Sequence, residues 1–179
     1  RHDAELEEWR QELDAAEKTV AASDATQRSA TDAVTQLQER VQGLEARLAE
    51  TDGRIVAPAL GSVRADPQLL RQLLLNLCGN ALTYRAPDRA PVVTVTLERI
   101  SETHGELRVA DNGRGFPPTE AARLFEPFYR DAGGHGDGLG LGLAICRSIA
   151  QNHGWGIRAI GEVGVGATFV VRLPWTDPA

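Results

Sequence analysis

Asn76, Asn80 and Thr83 stand at i, i+4 and i+7 in the run Leu69-Leu70-Arg71-Gln72-Leu73-Leu74-Leu75-Asn76-Leu77-Cys78-Gly79-Asn80-Ala81-Leu82-Thr83. That spacing makes them one polar stripe on a helix otherwise rich in leucine. A buried carboxamide without partners costs about 1–3 kcal/mol, so the stripe must be satisfied. Either neighbouring backbone groups do this, or the stripe presents amide oxygens to a hydrated Mg²⁺, a hard cation that takes oxygen ligands and keeps several waters. Further on, Asp111-Asn112-Gly113-Arg114-Gly115 offers a carboxylate able to accept a hydrogen bond from an exocyclic amine. Its glycines would let the backbone approach a flat base, although a tight turn alone would also account for them. Third, Gly138-Leu139-Gly140-Leu141-Gly142-Leu143-Ala144-Ile145 runs a glycine-rich turn into a helix. Free amides at a helix start, with no side chains in the way, suit a phosphate.

The elements that must position these groups are legible in the surrounding pattern. Asp66-Pro67 is an N-cap followed by proline at the first helical position, which predicts a helix running to about Leu82. Pro91 to Ile100 alternates in period two through Val93, Val95 and Leu97, and Glu106 to Asp111 reads as a second strand, so a hairpin is expected. Asn112 to Gly115 is then a turn, Thr119 to Leu124 a short helix, and Asp131 to Gly138 a loop too polar for a core. A helix from about Leu141 to Asn152 ends at Gly154, placed for a C-terminal cap. Gly156 to Ile160 and Ala167 to Leu173 read as strands joined by a turn around Gly161 to Gly166. Helices followed by antiparallel strands predict an α+β fold, a two-layer α/β sandwich rather than a doubly wound sheet.

The first fifty residues follow another rule. Apolar positions recur at Leu6, Trp9, Leu13, Ala16 and Val20, then at Ala30, Val34, Leu37, Val41, Leu44 and Leu48, three and four apart as a heptad seam requires. The small, polar stretch Ser23 to Thr31 predicts a break between two helices, because Thr31 and Asp32 are good N-caps for the second; one long helix through a weak patch is the alternative. We read residues 1–28 as a helical linker or dimerisation segment and residues 29–179 as the folded domain.

Composition narrows the function classes. The chain has 179 residues, 42% hydrophobic and 25% charged, close to the average for globular proteins. No stretch approaches the ~18 uncharged apolar residues of a membrane span, so no direct membrane contact is expected. A net charge of −6, without a basic stripe interleaved with aromatics, argues against nucleic acid as a partner. Lys18 is the only lysine, which excludes the lysine-dependent Walker A loop. Cys78 and Cys146 lie in apolar helical patterns without metal-ligand spacing and are expected as reduced thiols in a cytoplasmic setting. The absence of methionine and the start Arg1-His2-Asp3 suggest a piece of a longer polypeptide.

Taken in order, Asn76-x-x-x-Asn80-Ala81, Asp111-x-Gly113-x-Gly115, Leu124-Phe125-Glu126-Pro127-Phe128-Tyr129-Arg130 and Gly138-x-Gly140-x-Gly142-Leu143 resemble the four nucleotide-binding boxes of the sensor histidine kinase catalytic domain. That domain belongs to the GHKL superfamily, whose ATP-binding α/β sandwich is called the Bergerat fold. Val63-Arg64-Ala65-Asp66-Pro67 and Gly164-Val165-Gly166-Ala167-Thr168-Phe169 also resemble its flanking segments, so the likeness runs from about Ala30 to Pro174. It implies ATP and Mg²⁺ as cofactors. It implies that Asp111 binds the adenine amino group, that Gly113 and Gly115 shape that pocket, and that Asn80 holds the metal with Asn76 assisting. Tyr84, Phe128, Tyr129 and Thr168 would lie at the nucleotide, and Arg130 would reach a phosphate. Gly138, Leu139, Gly140, Leu141 and Gly142 would form the lid hinge and the helix start around the triphosphate, with residues 129–137 as the lid.

Two departures matter. The family often carries lysine three residues after the second asparagine; here it is Thr83, so one phosphate contact is either missing or supplied by Arg85. Hydrolytic relatives carry glutamate where this chain has Asn76, and an amide cannot take a proton from water, so transfer to a protein acceptor is favoured over hydrolysis. By resemblance the chain is then a histidine kinase core. It would pass the ATP γ-phosphoryl group to a histidine on a dimerisation helix and on to a response-regulator receiver domain, as a homodimer through its N-terminal helices under an upstream sensor domain. None of His2, His104, His135 and His153 sits in the acceptor pattern, so the acceptor is expected outside this chain. A non-catalytic nucleotide-binding coiled-coil module is the alternative. An anti-sigma-type serine kinase fits less well, because Leu124 to Arg130 and Gly140 to Ala144 look like sensor kinases.

Overall fold

The computed structural model describes Lys18, Ala22, residues 32–58, Leu60, Val63, residues 65–129 and residues 139–175. The chain divides into two compact units, Arg1–Arg40 and Val41–Ala179. All three chemical groups belong to the second. Residues 32–50 are helical (α1), with the second unit starting inside this helix. The break expected between Ser23 and Thr31 and the first heptad run lie outside the described residues.

Helix α2 spans Pro67–Thr83. Its start is set by Asp66, whose Oδ1 accepts hydrogen bonds from the amides of Gln68 at 2.8 Å and Leu69 at 3.1 Å, with proline where no amide is needed. Helix α3 spans Gly142–Asn152. It ends in a left-handed residue, Gly154, with the Trp155 amide returning to the Ala150 carbonyl at 2.8 Å and that of Gly154 to Gln151 at 3.0 Å.

Strands β1 (Arg54–Val56), β2 (Val92–Arg99), β3 (His104–Asp111), β4 (Gly156–Glu162) and β5 (Gly166–Pro174) form one sheet in the order β1-β2-β3-β5-β4. β1 runs parallel to β2, and all other pairs are antiparallel. Register decides the faces. Val95 pairs Val109, which pairs Phe169; Leu97 pairs Leu107, which pairs Val171. These side chains share one face with Val93 and Leu173, and α2 and α3 cover it with Leu73, Leu77, Ala81, Cys146, Ile149 and Ala150. Each fully buried aliphatic side chain contributes about 1.5–3 kcal/mol. The result is the expected two-layer sandwich. On the opposite face Glu106 accepts from Arg108 at 2.6 Å and from Arg158 at 3.3 Å.

The sequence reading differs in three places. β1 was not foreseen, because its three residues are all exposed and show no alternation. The short helix expected over Thr119 to Leu124 is two 3₁₀ turns, Pro118–Glu120 and Arg123–Phe125. β4 and β5 extend further into their connection than the pattern predicted, leaving Val163-Gly164-Val165 as the turn. Cys78 and Cys146 are both buried free thiols, and burial pushes the Cys78 thiol up to about 11.

Candidate functional site

An open cleft lies over the sheet between the C-terminal end of α2, the end of β3 and the start of α3, holding about 720 Å³ including its mouth. Of the residues singled out in the sequence, Asn80, Tyr84, Asp111, Gly115, Tyr129, Gly140 and Gly142 line it.

Asp111 is the last residue of β3 and lies in the core-facing row behind Val109. Its Oδ1 accepts hydrogen bonds from the amides of Gly113 at 2.8 Å and Ala167 at 3.2 Å. The second carboxylate oxygen has no partner among the described residues, which leaves an oriented acceptor at the cleft. Burial raises the Asp111 carboxyl above its ordinary 3.8, while those two amides pull it partly back. The turn after it is closed by two glycines in left-handed or related conformations. Gly115 (φ 65°) and Gly166 (φ 148°) come so close that a Cβ on either would collide with backbone, at the Glu162 carbonyl and the Asp111 carbonyl respectively.

Arg89 was not foreseen as part of this frame. Its Nε donates to the Asn112 carbonyl at 2.7 Å, and its Nη2 donates to the carbonyls of Gly113 at 3.1 Å and Gly164 at 2.6 Å. The same guanidinium therefore joins the turn after β3 to the turn between β4 and β5. Asn112 answers from the other side, accepting from the Val92 amide at 2.8 Å and donating to the Ala90 carbonyl at 3.0 Å. No local pattern marks Arg89, since its three acceptors are 23, 24 and 75 residues away.

At the other end of the cleft, Asn80 presents a carboxamide with no side-chain partner among the described residues. Asn76 is buried, does not line the cleft, and donates through Nδ2 to the Gly142 carbonyl at 3.2 Å. That bond ties α2 to the first turn of α3. Leu141, the cap of α3, supplies no side-chain hydrogen bond to the helix start, so among the described residues no side chain caps the first amides there. Thr83 turns back to the Gly79 carbonyl at 2.9 Å and accepts from Arg47 Nη2 of α1 at 3.1 Å.

Several sequence-assigned residues sit elsewhere. Arg85 donates to the Leu82 carbonyl at 3.2 Å and does not line the cleft. Gly113 acts through its amide on Asp111 rather than by facing the cavity. Phe128 and Leu139 are exposed to 70% and 76% and do not line the cleft, and Leu141 is likewise outside the lining. Thr168 pairs with Ala110 and Ile160, so strand parity puts it on the opposite face from Ala167 and Phe169, which do line the cleft. Leu124 and Leu143, members of two of the boxes, also line the wall, as do Phe116 and Glu120, which were not anticipated. Arg130, Gly138 and the segment 130–137 lie outside the described residues. Among the described residues no three His, Cys, Asp or Glu side chains cluster as a metal site. A metal here would need oxygens from a bound ligand beside Asn80.

Comparison with known proteins agrees with this architecture. Residues 65–177 match the family described as histidine kinase-, DNA gyrase B-, and HSP90-like ATPase. The chain belongs to that ATPase family. Within it, the chain is 40% identical over 140 residues to the sensor protein IrlS of Burkholderia pseudomallei, covering 76% of this chain and 30% of that protein. It is 38% identical over 117 residues to the sensor histidine kinase ZraS of Klebsiella oxytoca, covering 65% and 24%. The chain thus spans less than a third of either relative. Among solved structures, full-length ShkA in complex with AMPPNP superposes with a TM-score of 0.66 at 33% identity, over 80% of this chain and 30% of that one. The mycobacterial sensor histidine kinase MprB gives 0.64 at 28%, over 82% and 97%. The GHKL-type fold and histidine kinase kinship expected from the boxes are therefore established for this ATPase domain.

Proposed function

We propose that the chain is the ATP-binding catalytic core of a two-component sensor histidine kinase. The observation that carries this reading is the pairing, in one cleft, of a half-buried carboxylate with one free oxygen and an uncapped helix start beside a free carboxamide. Asp111 takes the exocyclic amine of adenine, the amides at the start of α3 take phosphate oxygens, and Asn80 supplies one oxygen to Mg²⁺. The metal's contribution is charge neutralisation between the phosphates. Asn80 and Asn76 divide the work, one facing the ligand and the other holding Gly142 and the helix behind it.

The γ-phosphoryl group passes to an imidazole nitrogen of a histidine outside this chain: an N–P bond forms, the bond to the bridging oxygen breaks, and ADP leaves. Asn76 offers no base for water, which supports transfer over hydrolysis. A receiver-domain aspartate is the next acceptor. The homodimer through the N-terminal helices, the upstream sensor domain and cytoplasmic residence belong to the same proposal. Among the described residues no helix is long and apolar enough to cross a membrane.

Calorimetric titration tests the site. ATP should bind in preference to GTP, Asp111→Ala should abolish adenine selectivity, and Asn80→Ala should remove the Mg²⁺ dependence. Unchanged Mg-ATP affinity in Asn80→Ala would refute the metal role. Acid-labile phosphate on a supplied acceptor helix would separate a kinase from a non-catalytic nucleotide module.

A further inference from the structure

The face of the sheet opposite α2 and α3 carries a cluster that the nucleotide reading does not use. Strand parity sets Glu106, Arg108, Val170, Arg158 and Arg172 side by side there. Glu106 is buried with both oxygens taken: Oε2 accepts from Arg108 Nη2 at 2.6 Å and Oε1 from Arg158 Nη2 at 3.3 Å. Arg158 stands on β4 and Glu106 on β3, so the side chain that joins them crosses β5. Register places Val170 between Arg108 and Arg158, and their apolar stems account for its being only 1% exposed.

Arg172 is the member left over. It lies directly opposite Glu106 in the register, yet both carboxylate oxygens are occupied, and it is exposed with no ion pair among the described residues. Arg108 has a shortage of its own: its Nε is shut off from water and has no acceptor. A guanidinium is shaped to hold a carboxylate through two parallel N–H groups. The surroundings select the ligand. Ile160, 50% exposed, stands two positions along β4 from Arg158 on the same face, so an apolar contact lies beside the cations. Glu98 faces Glu106 from β2 and repels an anion on that side, which directs it to Arg172 and Arg158 on β5 and the edge strand β4. We propose that this face is a docking surface for an acidic segment of another protein, with carboxylates taken by Arg172 and Arg158 and an apolar side chain set against Ile160. It lies across the sheet from the cleft and goes beyond the nucleotide reading.

Fluorescence anisotropy on the intact chain tests this with a labelled peptide in which glutamates flank a single leucine, beside its isostere with glutamine at every glutamate. The glutamate peptide should bind and the isostere should not. Arg172→Gln should weaken binding about threefold, the scale of one exposed ion pair, and adding Arg158→Gln should bring the loss to roughly tenfold. Arg147→Gln, at an exposed arginine of α3 on the helix layer, should change nothing. Because Arg172 has no ion pair within the chain, Arg172→Gln should keep the wild-type thermal midpoint and Mg-ATP affinity. No binding, equal binding of the glutamine isostere, or an equal loss in Arg147→Gln would overturn the proposal. Displacement of the peptide by an equal concentration of inorganic phosphate would also overturn it, by reducing the surface to an anion site. A variant that loses peptide and Mg-ATP together would mean a disturbed sheet and count against docking, while wild-type protein that binds peptide but no Mg-ATP would leave this surface standing and sink the nucleotide reading alone.

Discussion

Asp111 joins two kinds of work at a single residue. Its Oδ1 closes a local turn through Gly113 and crosses to Ala167 on β5, while its other oxygen has no partner among the described residues. Burial raises its pKa above 3.8, so the folded chain holds its proton to higher pH than the unfolded chain does. Ionising this residue therefore subtracts stability as pH rises from the unfolded value through the folded one. A ligand amine that prefers the carboxylate reverses that bias. Adenosine affinity should fall on acidification at a pH above the ordinary aspartate range, and Asp111→Asn should flatten the profile. An unaltered profile in Asp111→Asn would locate the titrating group elsewhere. The aspartate and its glycines were readable from spacing, because a carboxylate followed by two close-set glycines describes a chemical need. Thr168 was not, since only strand parity reveals that its neighbours Ala167 and Phe169 own the cleft face.

Among the elements, the hairpins matter through their connections. Arg89 pins the turn after β3 to the turn between β4 and β5 through three carbonyls. Those two turns carry the glycines that close against each other behind Asp111. Arg89→Ala should therefore weaken adenosine and ATP by the same factor, with a thermal midpoint shifted by only a few degrees, as one exposed side chain permits. Lysine should not rescue it, because an ammonium lacks the planar fork that reaches several acceptors at once. A loss confined to ATP would contradict this assignment. Helices α2 and α3 were legible nearly to the residue, since Asp66-Pro67 and Gly154 are local capping signals. β1 was illegible for the converse reason: three exposed residues owe their strand form to the edge of β2, not to any pattern of their own.

For the whole molecule, binding and folding draw on one core. Leu77 is fully buried between the site-bearing face of α2 and the sheet. Leu77→Ala should cost about 2–5 kcal/mol in urea unfolding. Saturating Mg-ATP should return part of it, about 2.7 kcal/mol at a ligand concentration of 100 times Kd. A variant as stable as the wild type would mean that the helix layer can close over the missing volume. A variant that gains nothing from Mg-ATP would mean that the site had come apart with the core.

From the sequence alone came the sandwich, its helix limits and the order of the four boxes. Each is recorded in short-range terms: hydrophobic period, capping chemistry, and glycine where backbone must come close. What only the tertiary structure decided is which residues meet across distance. The sheet register set Ala167 against Asp111 and turned Thr168 away. Packing gave Asn76 to Gly142 and Arg47 to Thr83. A hydrogen bond between residues 36 or 66 positions apart leaves no periodic trace in either segment, because its geometry exists only once the layers have closed.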